Sequence, residues 1–177
     1  RQLKTLPDDF GVDIIFFDAE DQGYDAEFAE DADPESWCLG AQYWARNLHT
    51  PGYAPMYGIL LDMVGSKGAR FPKEGYSMRF APQVVDKVWS LAHRMGYGHY
   101  FDMTRTPGGV TDDHVFVNTI AKIPMIDIIN KPPNSATGFG HYWHTHKDNM
   151  AVIDKRTLGA VGQVVTAVVF KEAAGKL

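Results

Sequence analysis

Three short apolar runs, at residues 13–17, 57–64 and 124–129, are each bounded by turn residues. Apolar neighbours on both sides of the strand repeat mark strands buried on two faces, the habit of a mostly parallel sheet. Between and after these runs the spacing turns helical. The clearest helix is predicted over 82–95, where Val84, Val88, Leu91 and Met95 share a face and Gly96 follows as a stop. Asp154 predicts the N-cap of a closing helix, with Leu158, Val161, Val165 and Val168 as one stripe reaching to about Lys171. A third helix is predicted over 35–46, and a short one from Asp112 or Asp113 that carries Val115, Phe116 and Ile120. This alternation predicts an α/β fold, a mostly parallel mixed sheet sandwiched by helices. No internal repeat or linker divides the chain, so residues 1–177 read as one domain.

At 177 residues and 45% hydrophobic, the chain can bury one substantial core. Its net charge of −5, with basic residues scattered singly, argues against a nucleic-acid partner, because such binding depends on neutralising phosphates. No apolar stretch reaches the roughly 20 residues that span a bilayer. Cys38 is the only cysteine, which excludes an intrachain disulfide and a thiolate cluster, so a bound metal would use oxygen and imidazole ligands. The charged lead-in at 1–9 runs straight into a buried-type strand without an initiator methionine or signal peptide, and the expectation is that upstream sequence precedes it.

Ligands of open α/β sheets collect beyond the carboxyl ends of strands. Four polar clusters occupy such places: Asp18, Ala19, Glu20 and Asp21 after the first run; Asp62 within LLDMVG; Thr111, Asp112, Asp113 and His114 after a Gly-rich turn; and HYWHTH, reached by the loop after the third run. Adjacent acids after a strand also serve as helix caps or solvated loop charges, and Thr111 and Asp112 suit a cap as well as a site. Asp62 is more informative, since its neighbours Leu60, Leu61, Met63 and Val64 imply burial, and a buried carboxylate needs a partner or a metal. In an extended segment His144 and His146 would share a face as neighbouring metal ligands, with Trp143 pointing away. His49, His93 and His99 lie away from acidic clusters and read as surface residues. The acidic loop at 22–36 lacks the spacing and central glycine of an EF-hand and reads as a solvated lid.

In the same order along the chain, FFDAED, LLDMVG, GGVTDDH and FGHYWHTHKDN, supported by WCLGAQYWA, closely resemble motifs of the glutaminyl cyclases in the M28 metallopeptidase-like clan. The resemblance covers nearly the whole chain and is weakest over 22–36. It implies a zinc aminopeptidase-like fold and an enzyme that converts the N-terminal glutamine of peptides and proteins to pyroglutamate, releasing ammonia. By the same resemblance Glu20 is the general acid/base, Asp21 and His144 are zinc ligands, and Asp62 and Asp112 are carboxylates that hydrogen-bond the acid/base and the reacting amide. Val110, Phe139 and Trp143 match apolar walls of the glutamine pocket, and Thr111 sits at a pocket position that is glutamine in animal members.

One Zn2+ per active site is implied, with its third protein ligand, an aspartate, on a part of the domain upstream of Arg1. The chain then corresponds to the C-terminal portion of a single catalytic domain. Asp21, a glutamate in animal members, resembles the bacterial branch, which implies export to the periplasm or to a membrane anchor. The tryptophan that animal members carry after the metal ligand has no obvious match, since Trp37 falls within the following predicted helix. Two alternatives stand beside this reading. An M28 zinc aminopeptidase would use Asp62 on a second metal and Glu20 to activate water. A catalytically silent module would bind peptides through Trp143 and the acidic loop.

Overall fold

The computed structural model describes residues 5–21, 23–24, 33–133, 135 and 137–177. Strand β1 (Gly58–Asp62) runs parallel to β4 (Met125–Ile129), with Gly58 opposite Met125 and Asp62 opposite Ile129. Strand β2 (Phe71–Lys73) runs parallel to β3 (Phe101–Arg105). The two pairs are stitched together beside β4, where Arg70 N–H donates to Asn130 Oδ1 at 2.9 Å and Lys131 N–H donates to the Arg70 carbonyl at 2.9 Å. All five residues of β4 are buried, which makes it the centre of the sheet.

Alternation along β4 sorts its side chains between two layers. Ile126 and Ile128 join the larger core, against α3 (Pro82–Arg94) and α5 (Lys155–Ala173). There Val85, Val88, Trp89, Leu91 and Val164 are buried, each large apolar side chain contributing about 1.5–3 kcal/mol. Trp89 stands edge-on to Phe101 at 5.4 Å, and its indole N–H donates to the Phe71 carbonyl at 3.0 Å. Met125 faces the smaller core with Cys38, Ala41, Val117 and Ile123, which belong to α1 (Leu39–Arg46) and its surroundings and to the π-helical turn Val117–Ala121 that continues α4 (Asp113–Phe116). Helices therefore cover both faces, as the periodicity predicts. Among the described residues no helix is long and apolar enough to cross a membrane.

The sequence places α3 and α5 within a residue or two. Pro82 opens α3, Gly96 follows it at φ 86°, and Asp154 caps α5 by accepting the Arg156 N–H at 2.8 Å. The predicted stripe of α5 is rotated, because Leu158 is 42% exposed while Thr157, Ala160 and Val164 are buried with Val161 and Val168. The helix expected over 35–46 is interrupted. Asp33 caps a 3-10 turn at Pro34–Ser36, Trp37 is extended, and Cys38 is left-handed at φ 55° before α1 begins. Strands β2 and β3 and helix α2 (Gly75–Phe80) are additions that the apolar pattern does not announce.

The strand expected over 13–17 does not form. No strand among the described residues pairs with it, Ile14 and Phe16 are 71% and 92% exposed, and only Phe17 packs firmly, edge-on to Trp44 at 5.8 Å. Its two-sided apolar pattern needs neighbours on both faces, whereas among the described residues it meets α1 and, at Asp13, Tyr53. Most of the acidic loop, residue 22 and residues 25–32, falls outside the described residues, and with it the expected lid.

Candidate active site

Main-chain bonding sets the first part of the site. The first three N–H groups of the α1 end lack helical partners. They donate instead to the preceding turn: Cys38 to the Glu20 carbonyl, Leu39 to that of Ala19 and Gly40 to that of Asp18, each at 3.1 Å. A Cβ on Gly40 would collide with the Asp18 carbonyl oxygen, so the close approach requires glycine. Ala19 is left-handed at φ 50°, which sends Glu20 inward toward Cys38 and leaves Asp21 exposed at the rim.

Four acids gather around Glu20. Asp62 closes β1, where it is half-buried rather than deeply buried, because Leu61 beside it is 45% exposed at an open sheet edge. Asp112 is buried and caps α4, accepting the Asp113 N–H at 2.6 Å. One acceptor atom each of Glu20 and Asp112 and the Cys38 thiol lie within 4.8 Å of one another. Burial, a hydrogen bond to Asp21, and the charges of Asp21, Asp62 and Asp113 push Glu20 up to about 8. Burial and the charge of Asp62 raise Asp112 to about 8 against the pull of the Asp113 N–H, with Glu20 and Asp113 adding to the rise. Asp62 and Asp113 rise to about 6, each chiefly through burial, and the Cys38 thiol opposes the shift at Asp113. Burial and the surrounding acids drive Cys38 itself upward, so it stays a thiol. Glu20 and Asp112 thus hold protons at neutral pH, whereas Asp62 and Asp113 are mostly ionised there.

His144 arrives from the loop after β4. Residues 141–147 form turns, not an extended segment, and His144 is left-handed at φ 56°. Strand alternation therefore does not apply. His144 Nε2 lies 3.1 Å from Asp21 Oδ1, whereas His146 is exposed and its carbonyl accepts from the Asn149 side chain. Aromatic rings bracket the imidazole. Trp143 stacks on it at 3.8 Å and on Phe139 at 4.6 Å, and Trp37 lies parallel to it at 6.5 Å. Trp37 lies outside any helix, contrary to the expected helix over 35–46, and its ring sits beside that of His144. His93 is exposed, as expected, and its Nε2 lies 2.7 Å from the Phe101 carbonyl oxygen.

Asp21 and His144 fit a shared zinc. Two ligands of a tetrahedral site, each about 2.0–2.1 Å from the metal, stand about 3.3 Å apart, close to the 3.1 Å between this carboxylate oxygen and this imidazole nitrogen. Among the described residues no third His, Cys, Asp or Glu completes a donor set with this pair. A second group of three possible donors, Asp112, His114 and Asp127, lies deeper in the fold, entirely buried.

Val110 and Thr111 precede Asp112 on a turn that approaches α2. Val110 N–H donates to Glu74 Oε1 at 2.8 Å, and Thr111 is exposed. Glu74 and Asp127 were not among the candidates from sequence. Asp127 had a usable signal, a carboxylate inside the apolar run PMIDII, the argument that singled out Asp62. Glu74 had none, since the strand before it has only three residues and glutamate is an unusual N-cap.

Residues 1–169 match the family model "Peptidase family M28". A comparison with curated proteins gives no match. Among solved structures, a Zn-dependent exopeptidase from Parabacteroides distasonis is 55% identical, with a TM-score of 0.83, over 87% of this chain and 52% of its own. The glutaminyl cyclase of Bacteroides thetaiotaomicron, solved with N-acetylhistamine, is 50% identical at a TM-score of 0.83 over 88% of this chain and 52% of its own. That of Porphyromonas gingivalis is 48% identical at 0.80 over 89% and 52%. The chain spans about half the length of each of these relatives.

Proposed function

Because this chain belongs to peptidase family M28, we propose that it carries most of the active site of a glutaminyl cyclase, which closes the N-terminal glutamine of a peptide into pyroglutamate and expels ammonia. The observation that supports this most directly is the pairing of Asp21 with His144 at 3.1 Å beside a proton-holding Glu20 and a tryptophan-lined wall. Similarity to the Bacteroides, Porphyromonas and Tannerella cyclases points the same way.

Asp21 and His144 would hold one zinc together with a third ligand from outside the described residues of this chain. When bound, the metal supplies Lewis acidity toward the side-chain amide carbonyl of the substrate. The nucleophile is the substrate's own α-amine, so the protein's task is orientation and proton transfer. Phe139 and Trp143, stacked at 4.6 Å, offer an apolar wall against the glutamine methylenes, with Val110 and Thr111 on the turn beside Asp112. Glu20 takes the proton from the attacking amine and returns it to the departing nitrogen, a role suited to a carboxyl held near 8. Asp62 and Asp112 hydrogen-bond the acid/base and the reacting amide, and the charge of Asp62 raises the proton affinity of Glu20.

An aminopeptidase of the same clan would need Asp62 on a second metal. The Asp62 carboxylate already accepts from the Met63 N–H. The test is mass spectrometry of a glutamine-initiated peptide incubated with the full-length protein, with and without a zinc chelator. Chelator-sensitive loss of one ammonia supports the cyclase. Free glutamine would identify an aminopeptidase, and an unchanged peptide a binding module.

A further inference from the structure

We propose that Glu74 is a positioning residue for the reaction, a single buried carboxylate that fixes Val110 through one oxygen and, through the other and His114, the acids Asp112 and Asp113. The inference rests on the cyclase reading of the site. It starts from an unusual concentration of donors. Oε1 of Glu74 accepts the N–H groups of Tyr76 and Val110, both at 2.8 Å. Oε2 accepts the Ser77 N–H at 2.7 Å and the Ser77 hydroxyl at 2.8 Å, and faces His114 Nε2 at 3.1 Å. Glu74 and His114 are both 0% exposed, so no water substitutes for any of these partners.

Those donors come from two segments that the site requires to meet, the start of α2 and the turn that carries the GGVTDDH motif. Their backbones touch. A Cβ on Gly75 would lie 2.5 Å from the Gly108 carbonyl oxygen, and one on Gly109 would overlap the Tyr76 ring. Glycine allows the approach and Glu74 locks it. Val110 is thereby held by its amide at the pocket wall. His114 is the second residue of α4, directly after Asp113 and the capping Asp112, so anchoring its ring anchors the start of that helix. A ring nitrogen of His114 also lies within 4.8 Å of acceptor atoms of both Asp112 and Asp127. The carboxylate stays charged across the working range: burial alone would raise it, but His114 and the Ser77 and Tyr76 N–H groups bring it down to about 2.

Glutamine at this position presents one acceptor and one donor, so either the Tyr76 and Val110 pair or the Ser77 and His114 set would face an amide NH2. The experiment uses the full-length protein and steady-state cyclisation of a glutaminyl peptide, with folding followed by circular dichroism. Glu74→Gln is expected to lower kcat about 100-fold, as displaced reacting groups do, and to raise KM about tenfold through the loosened Val110 wall. His114→Asn, too short to reach Glu74, severs one arm only: kcat falls about tenfold while KM stays within about twofold. His114→Gln, whose amide N–H takes the place of Nε2–H, restores most of that loss. If Glu74→Gln does not fold, the two His114 variants decide. A folded Glu74→Gln with both constants within about twofold of wild type would overturn the proposal, as would His114→Asn with unchanged kcat or a His114→Gln that recovers nothing. A wild-type protein that forms no pyroglutamate would instead overturn the cyclase reading, and the inference with it.

Discussion

Asp21 and His144 are 123 positions apart in sequence, yet Oδ1 of one lies 3.1 Å from Nε2 of the other. Neither residue has a regular element of its own; Asp21 hangs from the end of α1 and His144 from a turn beyond β4. Their meeting is therefore a property of the whole fold, and it divides the proposed site into a rim that pairs a carboxylate with an imidazole and an interior where carboxyl groups gather.

That division predicts two separable losses. His144→Ala should abolish zinc binding, read by metal analysis after dialysis. Glu20→Gln should keep its zinc and lose about 10²–10⁴ in kcat, the usual contribution of a general acid/base. Full zinc occupancy in His144→Ala would remove that histidine from the ligand set.

The interior acids predict a pH dependence of stability for the metal-free protein. Glu20 and Asp112, at about 8, and Asp127, which burial and its acidic neighbours raise well above the ordinary range, bind protons more tightly folded than unfolded. Their favourable contribution is complete below the unfolded carboxylate range near 4 and is lost as pH rises toward 8. Urea midpoints should fall over that window. Asp127→Asn should flatten the slope, and an unchanged slope would show that Asp127 does not titrate with folding.

Glu74 acts in the opposite sense. Its folded value of about 2 lies below the unfolded one, so its contribution is present above about 4.5 and disappears as pH falls toward 2. Acid unfolding of the wild type should steepen between those values, and Glu74→Gln should lack the additional loss.

Cys38, buried with its thiol against Asp113, should resist alkylation in the folded protein and react only upon unfolding. A thiol reagent added across a denaturant series gives the comparison; rapid labelling in native buffer would contradict the buried placement.

Gly40→Ala should destabilise the protein by about 1–3 kcal/mol, because the new methyl group meets the Asp18 carbonyl in a packed place. It should also weaken zinc binding, by moving the turn that carries Asp21. Calorimetry and a zinc titration on the same sample check both.

Periodicity made the helices legible where one face meets a core: α3 and α5 follow from spacing and caps alone. Strands β2 and β3 escaped because they are short, and Pro72 and the polar residues of β3 hide the strand pattern. The run at 13–17 misled in the other direction, since an apolar sequence states what a segment could bury and not what is there to cover it. At the site, family motifs brought Glu20, Asp21, Asp62, Asp112 and His144 into view together. Glu74 stayed hidden because its importance lies in a partner 36 residues away, Val110, which no local pattern encodes, whereas the apolar run around Asp127 already marked a buried carboxylate.

The three bonds that tie residues 18–20 to the head of α1 use only backbone atoms. Apart from glycine at position 40, that attachment is made without side chains, so Glu20 is located independently of the stacked rings of Phe139 and Trp143. A laboratory evolution campaign could remodel Phe139, Trp143 and Thr111 and leave Glu20 where it is.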